Sequence, residues 1–339
     1  MKTQDQLFGK LNTSIYRKNI KEVWNVLEQY PKECRKTFLK NIKSLEFKHF
    51  TKEQLQELAE DIDVNGLYIP TENKIYLNGF ENKQEEINHE LFHVASCTPK
   101  YWGIIVDISY DNKIRTIGDN LNEGITEYLA FISSDSKDIS NSAYQLEVFV
   151  IETLINIYGT DILKPYFQNN PPKFYSQFRY DEQNIIKLDI LLKKISNWIS
   201  IRNSFEEYIV LKDIAKNKLE KNHLDSNTSN MKELSKHLKK YEFEINELFE
   251  EVEQEERKKG NTSQMYTLKK EKELYLNWYY MYDKIQKEIF EKLLKILIVL
   301  ARTHNLSDEW IKDILIKNLE NKKTILSTIE YKNKKLIRK

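Results

Sequence analysis

The sequence predicts a mainly α, α+β fold: a globular N-terminal region with short β-hairpins, followed by a helical-hairpin, coiled-coil-like C-terminal region. Three observations carry this. Apolar residues recur at helical spacing through most of the chain. Two pairs of short β-prone runs, each around a turn cluster, interrupt the helices between residues 66 and 117. A heptad seam begins beyond residue 231. The chain has 339 residues, 40% hydrophobic and 31% charged, enough for two folded domains. The segment Asp225-Ser226-Asn227-Thr228-Ser229-Asn230 is the best linker, dividing the chain into domains 1–224 and 231–339.

Charge and hydropathy exclude several classes. With 53 basic and 52 acidic residues there is no nucleic-acid footprint, and the basic tail Lys332–Lys339 reads as a solvated end. Met1–Leu11 has no apolar signal region, and the longest apolar run, Ile296–Ala301, is far shorter than the ~20 residues a spanning helix needs. No membrane span and a cytoplasmic location are expected. The two cysteines, Cys34 and Cys97, make no disulfide framework, in keeping with a reducing compartment.

Residues 1–60 read as helices. Ile20, Val23, Trp24, Val26 and Leu27 form an apolar stripe, Pro31 breaks it, and Thr51-Lys52-Glu53-Gln54 is a capping box opening a further helix. His49, beside Phe47 and Phe50, reads as a packed or surface residue with no functional role. Gly66–Ile69 and Lys74–Leu77 flank Pro70-Thr71-Glu72-Asn73 and predict a hairpin. A strand placed just before a functional helix can pair with an extended peptide; a purely structural hairpin is the equal alternative.

The next helix runs from about Asn82 to Cys97 and contains His89-Glu90-Leu91-Phe92-His93. Residues four apart lie nearly above one another on a helix, so both imidazoles project from one face. That suits two ligands of one zinc ion, with Glu90 beside them to take a proton from zinc-bound water. At ~100° per residue, Ile87, Leu91 and Val94 fall on the opposite side, anchoring the helix in a core. Cys97 follows one turn after His93, and the small buried role outweighs a place near the metal.

Gly103–Tyr110 and Lys113–Ile117 around Asp111-Asn112 predict a second hairpin. Leu121-Asn122-Glu123-Gly124-Ile125-Thr126-Glu127 then opens a helix on which Glu123 and Glu127, four apart, share a face opposite Leu121, Ile125 and Leu129. Gly124 costs a helix about 1 kcal/mol relative to Ala, which close helix–helix approach would justify. Residues 142–222 read as helical, with a strongly apolar helix around Leu146–Ile155 ended by Gly159, a break at Pro171-Pro172, and a helix over Ile185–Ile199.

His89-Glu90-x-x-His93 followed by Asn122-Glu123-Gly124 and Glu127 resembles the gluzincin metallopeptidases, the group containing thermolysin and the zinc aminopeptidases. The resemblance covers residues 64–165 and implies a zincin-like catalytic domain. It implies that His89, His93 and Glu123 bind one Zn2+ and that Glu90 is the general base. Glu127 would hold a ligand imidazole, His89 first, by its other ring nitrogen, and Asn122 would stand with it behind the ligands. The 29 residues between His93 and Glu123 are more than the thermolysin and aminopeptidase forms have, and the Gly103–Ile117 hairpin absorbs the excess. This marks a divergent branch. Tyr144 and Tyr110 are the candidates for stabilising a developing oxyanion.

Beyond the linker, Leu234, Leu238, Tyr241, Ile245, Leu248 and Val252 step by 4, 3, 4, 3 and 4. A second seam runs through Leu274, Trp278, Met281, Ile285, Ile289, Leu293 and Ile296, and the pair predicts an antiparallel helical hairpin. Ser307 caps a last helix. The expected function is hydrolysis of a peptide or protein substrate. The alternatives are an interaction or scaffold protein, self-associating or binding a partner through the C-terminal helices with a structural or vestigial zinc site, and a zinc hydrolase of a non-peptide substrate.

Overall fold

The structure, a computed structural model, describes residues 16–59, 64–79, 84–110, 113–134, 142, 144–196, 289 and 291–310. It is α+β and mostly α, as the sequence predicts. The chain divides into two compact units, Met1–Ile190 with Ile296–Lys339, and Leu191–Lys295. The described residues of the second unit, 191–196, 289 and 291–295, are helical. The linker, the first heptad seam, most of the second and the boundary expected between residues 224 and 231 lie outside the described residues. Among the described residues no helix is long and apolar enough to cross a membrane.

Helix α1 (Arg17–Leu27) buries the whole stripe Ile20, Val23, Trp24, Val26 and Leu27. After a 3-10 turn, α2 (Lys36–Asn41) leads to β1 (Glu46–Phe50) and α3 (Lys52–Leu58), which starts on the capping box of Thr51 and Gln54. Strand β1 corrects the all-helical reading of residues 1–60. Five alternating residues are too short a signal to outweigh the helical sequence around them. The strand is held from a distance, paired in parallel with β3 (Lys74–Asn78) from Glu46↔Lys74 to Phe50↔Asn78. Phe47 stacks on Tyr16 at 4.0 Å, while His49 bonds the Tyr16 hydroxyl at 2.8 Å and the Gly79 carbonyl at 2.6 Å. Of the two readings, His49 is the packed one.

Strand β2 (Gly66–Ile69) pairs antiparallel with β3, forming the first expected hairpin. The sheet order β1-β3-β2 places β2 at an edge. The second hairpin, β4 (Val106–Tyr110) with β5 (Lys113–Ile117), also forms, but its first strand starts three residues later than Gly103. Gly103 has φ +55°, in the left-handed region, and its N–H bonds the Ser96 carbonyl at 3.0 Å. This glycine serves the turn out of the preceding helix rather than the strand.

That helix is α4 (Gln84–Ser96). Ile87, Leu91 and Val94 are buried as expected, but so are Asn88, Phe92, Ala95 and Ser96. It is a core helix apolar on more than one side, packed by α1, α2, β2 and α5 (Asp119–Ser133). Asn41 caps its far end, its Nδ2 donating to the Val94 and Cys97 carbonyls at 2.9 Å each. Asn88, fully buried, accepts from Asn19 at 2.8 Å and donates to Glu22 and Ser133 at 3.0 Å, tying α1, α4 and α5 together.

Helix α6 (Gln145–Tyr158) lies against α5, and Gly124 is the point of approach: a Cβ there would sit 2.9 Å from the Glu147 backbone. Gly159, φ +84°, ends α6. Short helices α7 (Lys164–Phe167) and α8 (Pro171–Ser176) follow, α8 starting at the expected proline break with Asn170 as its cap. Residues 182–196 form α9 and residues 291–303 form α10; Ser307 accepts from the Trp310 N–H at 3.1 Å, the cap the sequence predicts.

Candidate metal centre

Helix α4 brings His89 and His93 one turn apart, and α5 brings Glu123 to meet them. His89 Nε2 lies 3.2 Å from His93 Nε2 and 3.2 Å from Glu123 Oε2, and His93 Nε2 lies 3.5 Å from that same oxygen. These three residues form the one cluster of potential metal donors among the described residues, with all donor atoms within 4.8 Å. The spacing fits a metal ion. A tetrahedron with zinc–ligand lengths of about 2.0–2.2 Å has edges of about 3.3–3.6 Å, close to the three separations. The donor chemistry, two imidazoles and one carboxylate, also suits zinc, although the cluster does not by itself choose the metal.

Glu127, one turn after Glu123, reaches the other side of the first imidazole. The His89 Nδ1–H donates to Glu127 Oε2 at 2.7 Å, so that a neutral His89 would turn its Nε2 lone pair toward the cluster. Ser142 lies beside the same carboxylate and favours its charge. The Ser142 hydroxyl accepts from the Tyr144 N–H at 3.0 Å, at the entry to α6. His93 is held differently: its Nδ1 is buried without a hydrogen-bond partner, and Cys97 is its neighbour. Cys97 is fully buried, the role the sequence favours, and also lies beside the site.

The charges are strongly coupled. Burial works against a charged His89, but the hydrogen bonds to Glu123 and Glu127 prevail and lift its pKa to about 9 in the metal-free protein. His93 is likewise raised well above its usual range: burial opposes its charge, and Glu123 outweighs it. Burial also opposes the charge on Glu123 and Glu127, but the imidazoles hold both carboxylates below their usual range. Glu90 moves the other way. It is 7% exposed, and burial lifts its carboxyl above the usual range despite the two histidines and the Tyr68 backbone that favour its charge. Strand β2 runs so close that a Cβ on Gly66 would lie 2.9 Å from Glu90 Cγ.

Tyr144, at the start of α6, stacks on His89 with ring centres 5.6 Å apart and planes 11° apart. The Glu123 charge, with burial and Glu90, keeps its phenol protonated. The side chain of Tyr110, the other aromatic candidate, lies outside the described residues. Asn122 is fully buried, and its Oδ1 accepts from the Ile104 N–H at 3.2 Å, fixing the approach to the second hairpin onto α5. Sequence reasoning missed Ser142, Gly66 and Tyr166. The Tyr166 hydroxyl sits between the Phe92 carbonyl at 3.2 Å and Thr126 Oγ1 at 2.7 Å, joining α4 to α5 in the core. No local pattern marks Gly66 or Tyr166, because each acts on a segment distant in sequence.

The geometry therefore defines a class of site: a buried His-His-Glu cluster with the donors and spacing to hold one metal ion. No family model matches the chain, and no curated protein or solved structure is similar enough to count as a match.

Proposed function

We propose that the chain is a zinc-dependent metallopeptidase of the gluzincin type, with His89, His93 and Glu123 holding one zinc ion. The observation that carries the reading is the meeting of three donors from two helices, with Glu127 behind His89. Glu90 sits beside that cluster. Three protein donors would leave a bound zinc ion room for water, as catalytic rather than closed structural zinc sites do. When bound, the ion would supply Lewis acidity toward water and a carbonyl oxygen. The protein does the rest. Glu90, beside the two imidazoles, would take a proton from the attacking water and pass it to the leaving amine. Glu127 keeps the His89 tautomer and ring plane fixed. Tyr144, protonated and stacked on His89, is the hydroxyl donor we assign to a developing oxyanion. The outer edge of β2, next to Glu90, offers backbone groups for an extended peptide.

The test is a peptide-library digest read by mass spectrometry, wild type beside Glu90→Gln. The wild type is expected to cleave. The variant is expected to keep its zinc and lose about 10²–10⁴-fold in turnover. A protein that binds zinc stoichiometrically yet cleaves no peptide overturns the peptidase reading and leaves the metal centre standing.

A further inference from the structure

The first turn of α5 has no cap of its own. Gly118, at its N-cap, has φ +94° and no side chain to offer. A Cβ there would meet the Ile104 carbonyl at 2.6 Å and the Tyr175 hydroxyl at 2.8 Å. The cap comes from Asp189 on α9. Its Oδ2 accepts from the Gly118 N–H at 2.7 Å and its Oδ1 from the Leu121 N–H at 3.0 Å, across 71 and 68 residues. Asp189 is 1% exposed, a carboxylate buried at the positive end of the helix dipole. Two oxygens on two amides fix both the height and the roll of α5, and Glu123 is only two residues beyond Leu121.

We propose that Asp189 is a positioning residue of the metal centre, setting Glu123 against His89 and His93. The inference rests on the reading that Glu123 is a ligand. The leverage is large. A roll of about 10° carries a side-chain tip about 5–6 Å from the helix axis through about 1 Å, and metal–ligand distances tolerate about 0.2 Å. The core of the resemblance, residues 64–165, is then not the whole of the site: α9 completes it from outside.

The experiment measures zinc affinity by competition with a chromophoric chelator, on the full chain, in wild type, Asp189→Asn, Glu123→Ala and the double variant. Asp189→Asn is expected to weaken zinc binding about 10-fold or more, while the double variant binds no more weakly than Glu123→Ala alone. That non-additivity separates positioning from general loosening, which would lower affinity on either background. Should Asp189→Asn lack a cooperative unfolding transition, Asp189→Glu is read by the same criteria, since it keeps the charge and displaces the carboxylate by one methylene. Wild-type affinity in the Asp189 variant, with Glu123→Ala weakened, overturns this inference alone. An Asp189 loss that persists in full on the Glu123→Ala background overturns it too. Equal zinc binding by wild type and Glu123→Ala overturns the ligand assignment and this inference together.

Discussion

Helices α4 and α5 each give the site residues four apart, yet they are held in different ways. In α4 the distance between His89 and His93 is a property of the helix itself, and the helix is buried on nearly every side. In α5 the carboxylates are useful only because the whole helix is set against α4. That setting comes from far along the chain: Asp189 at the first turn, Tyr166 on Thr126, Gly124 against Glu147, and Ser133 on Asn88. The lesson is that one half of this centre is built by local periodicity and the other by tertiary supports. Substitutions far from α5 in sequence should therefore reach the cluster.

The largest expected effect is on the α5 side. Glu123→Ala should abolish stoichiometric zinc at micromolar protein while α4 keeps both imidazoles, as metal analysis of the purified variant would show. Retention of one full equivalent would move the third donor elsewhere. Glu127→Gln should be milder, costing about 10–100-fold in zinc affinity, because it removes the negative charge behind His89 while leaving an amide oxygen that can still accept, and removes no metal donor. A chelator titration that finds wild-type affinity would mean His89 needs no such support.

Gly124→Ala sharpens the packing side of the comparison. The new methyl favours the helix by about 1 kcal/mol, but overpacking against backbone costs about 1–3 kcal/mol. A net loss of about 0–2 kcal/mol is expected in denaturant unfolding. A gain in stability would show that α5 and α6 can separate freely.

A further expected effect is an alkaline loss of stability confined to the metal-free protein. The folded pKa of His89, about 9, stands above its unfolded value near 6.5, so its contribution is full below about pH 6.5 and lost as pH rises through about 9. His93 acts in the same direction. Glu123 and Glu127 are lowered, so their contribution is present above their unfolded values near 4.5 and lost as pH falls below. Chelator-treated protein should thus be most stable between about pH 4.5 and 6.5 and lose stability toward pH 9. The zinc-loaded form should lack the alkaline loss, because its imidazoles are bound neutral. Thermal midpoints of both forms across that range are the measurement, and a loss common to both would place its source outside the cluster.

Much of this was legible from the sequence where the signal is local. The α1 stripe, the Thr51 capping box, both hairpins, the His89/His93 face and the Glu123/Glu127 face all follow from periods of 3.6 or 2 and from capping chemistry. Even Gly124 declared itself, since a glycine inside a helix asks for a close neighbour. Strand β1 did not, because its five residues owe their conformation to a parallel partner 28 positions away, Glu46 to Lys74. Nor did α4 show that it is buried on nearly every side, because the partners that satisfy Asn88 in the core come from α1 and α5.

The sequence by itself determined which side chains could act as donors and which of them share a helix face, because those relations are fixed by the rise and turn of one helix. Only the tertiary structure decided that the two faces meet, that Glu127 reaches His89, that Glu90 is buried beside β2 and Gly66, and that Asp189 and Ser142 belong to the same assembly. Those relations depend on how segments tens of residues apart pack and satisfy one another's buried polar groups, and no periodicity along the chain encodes that.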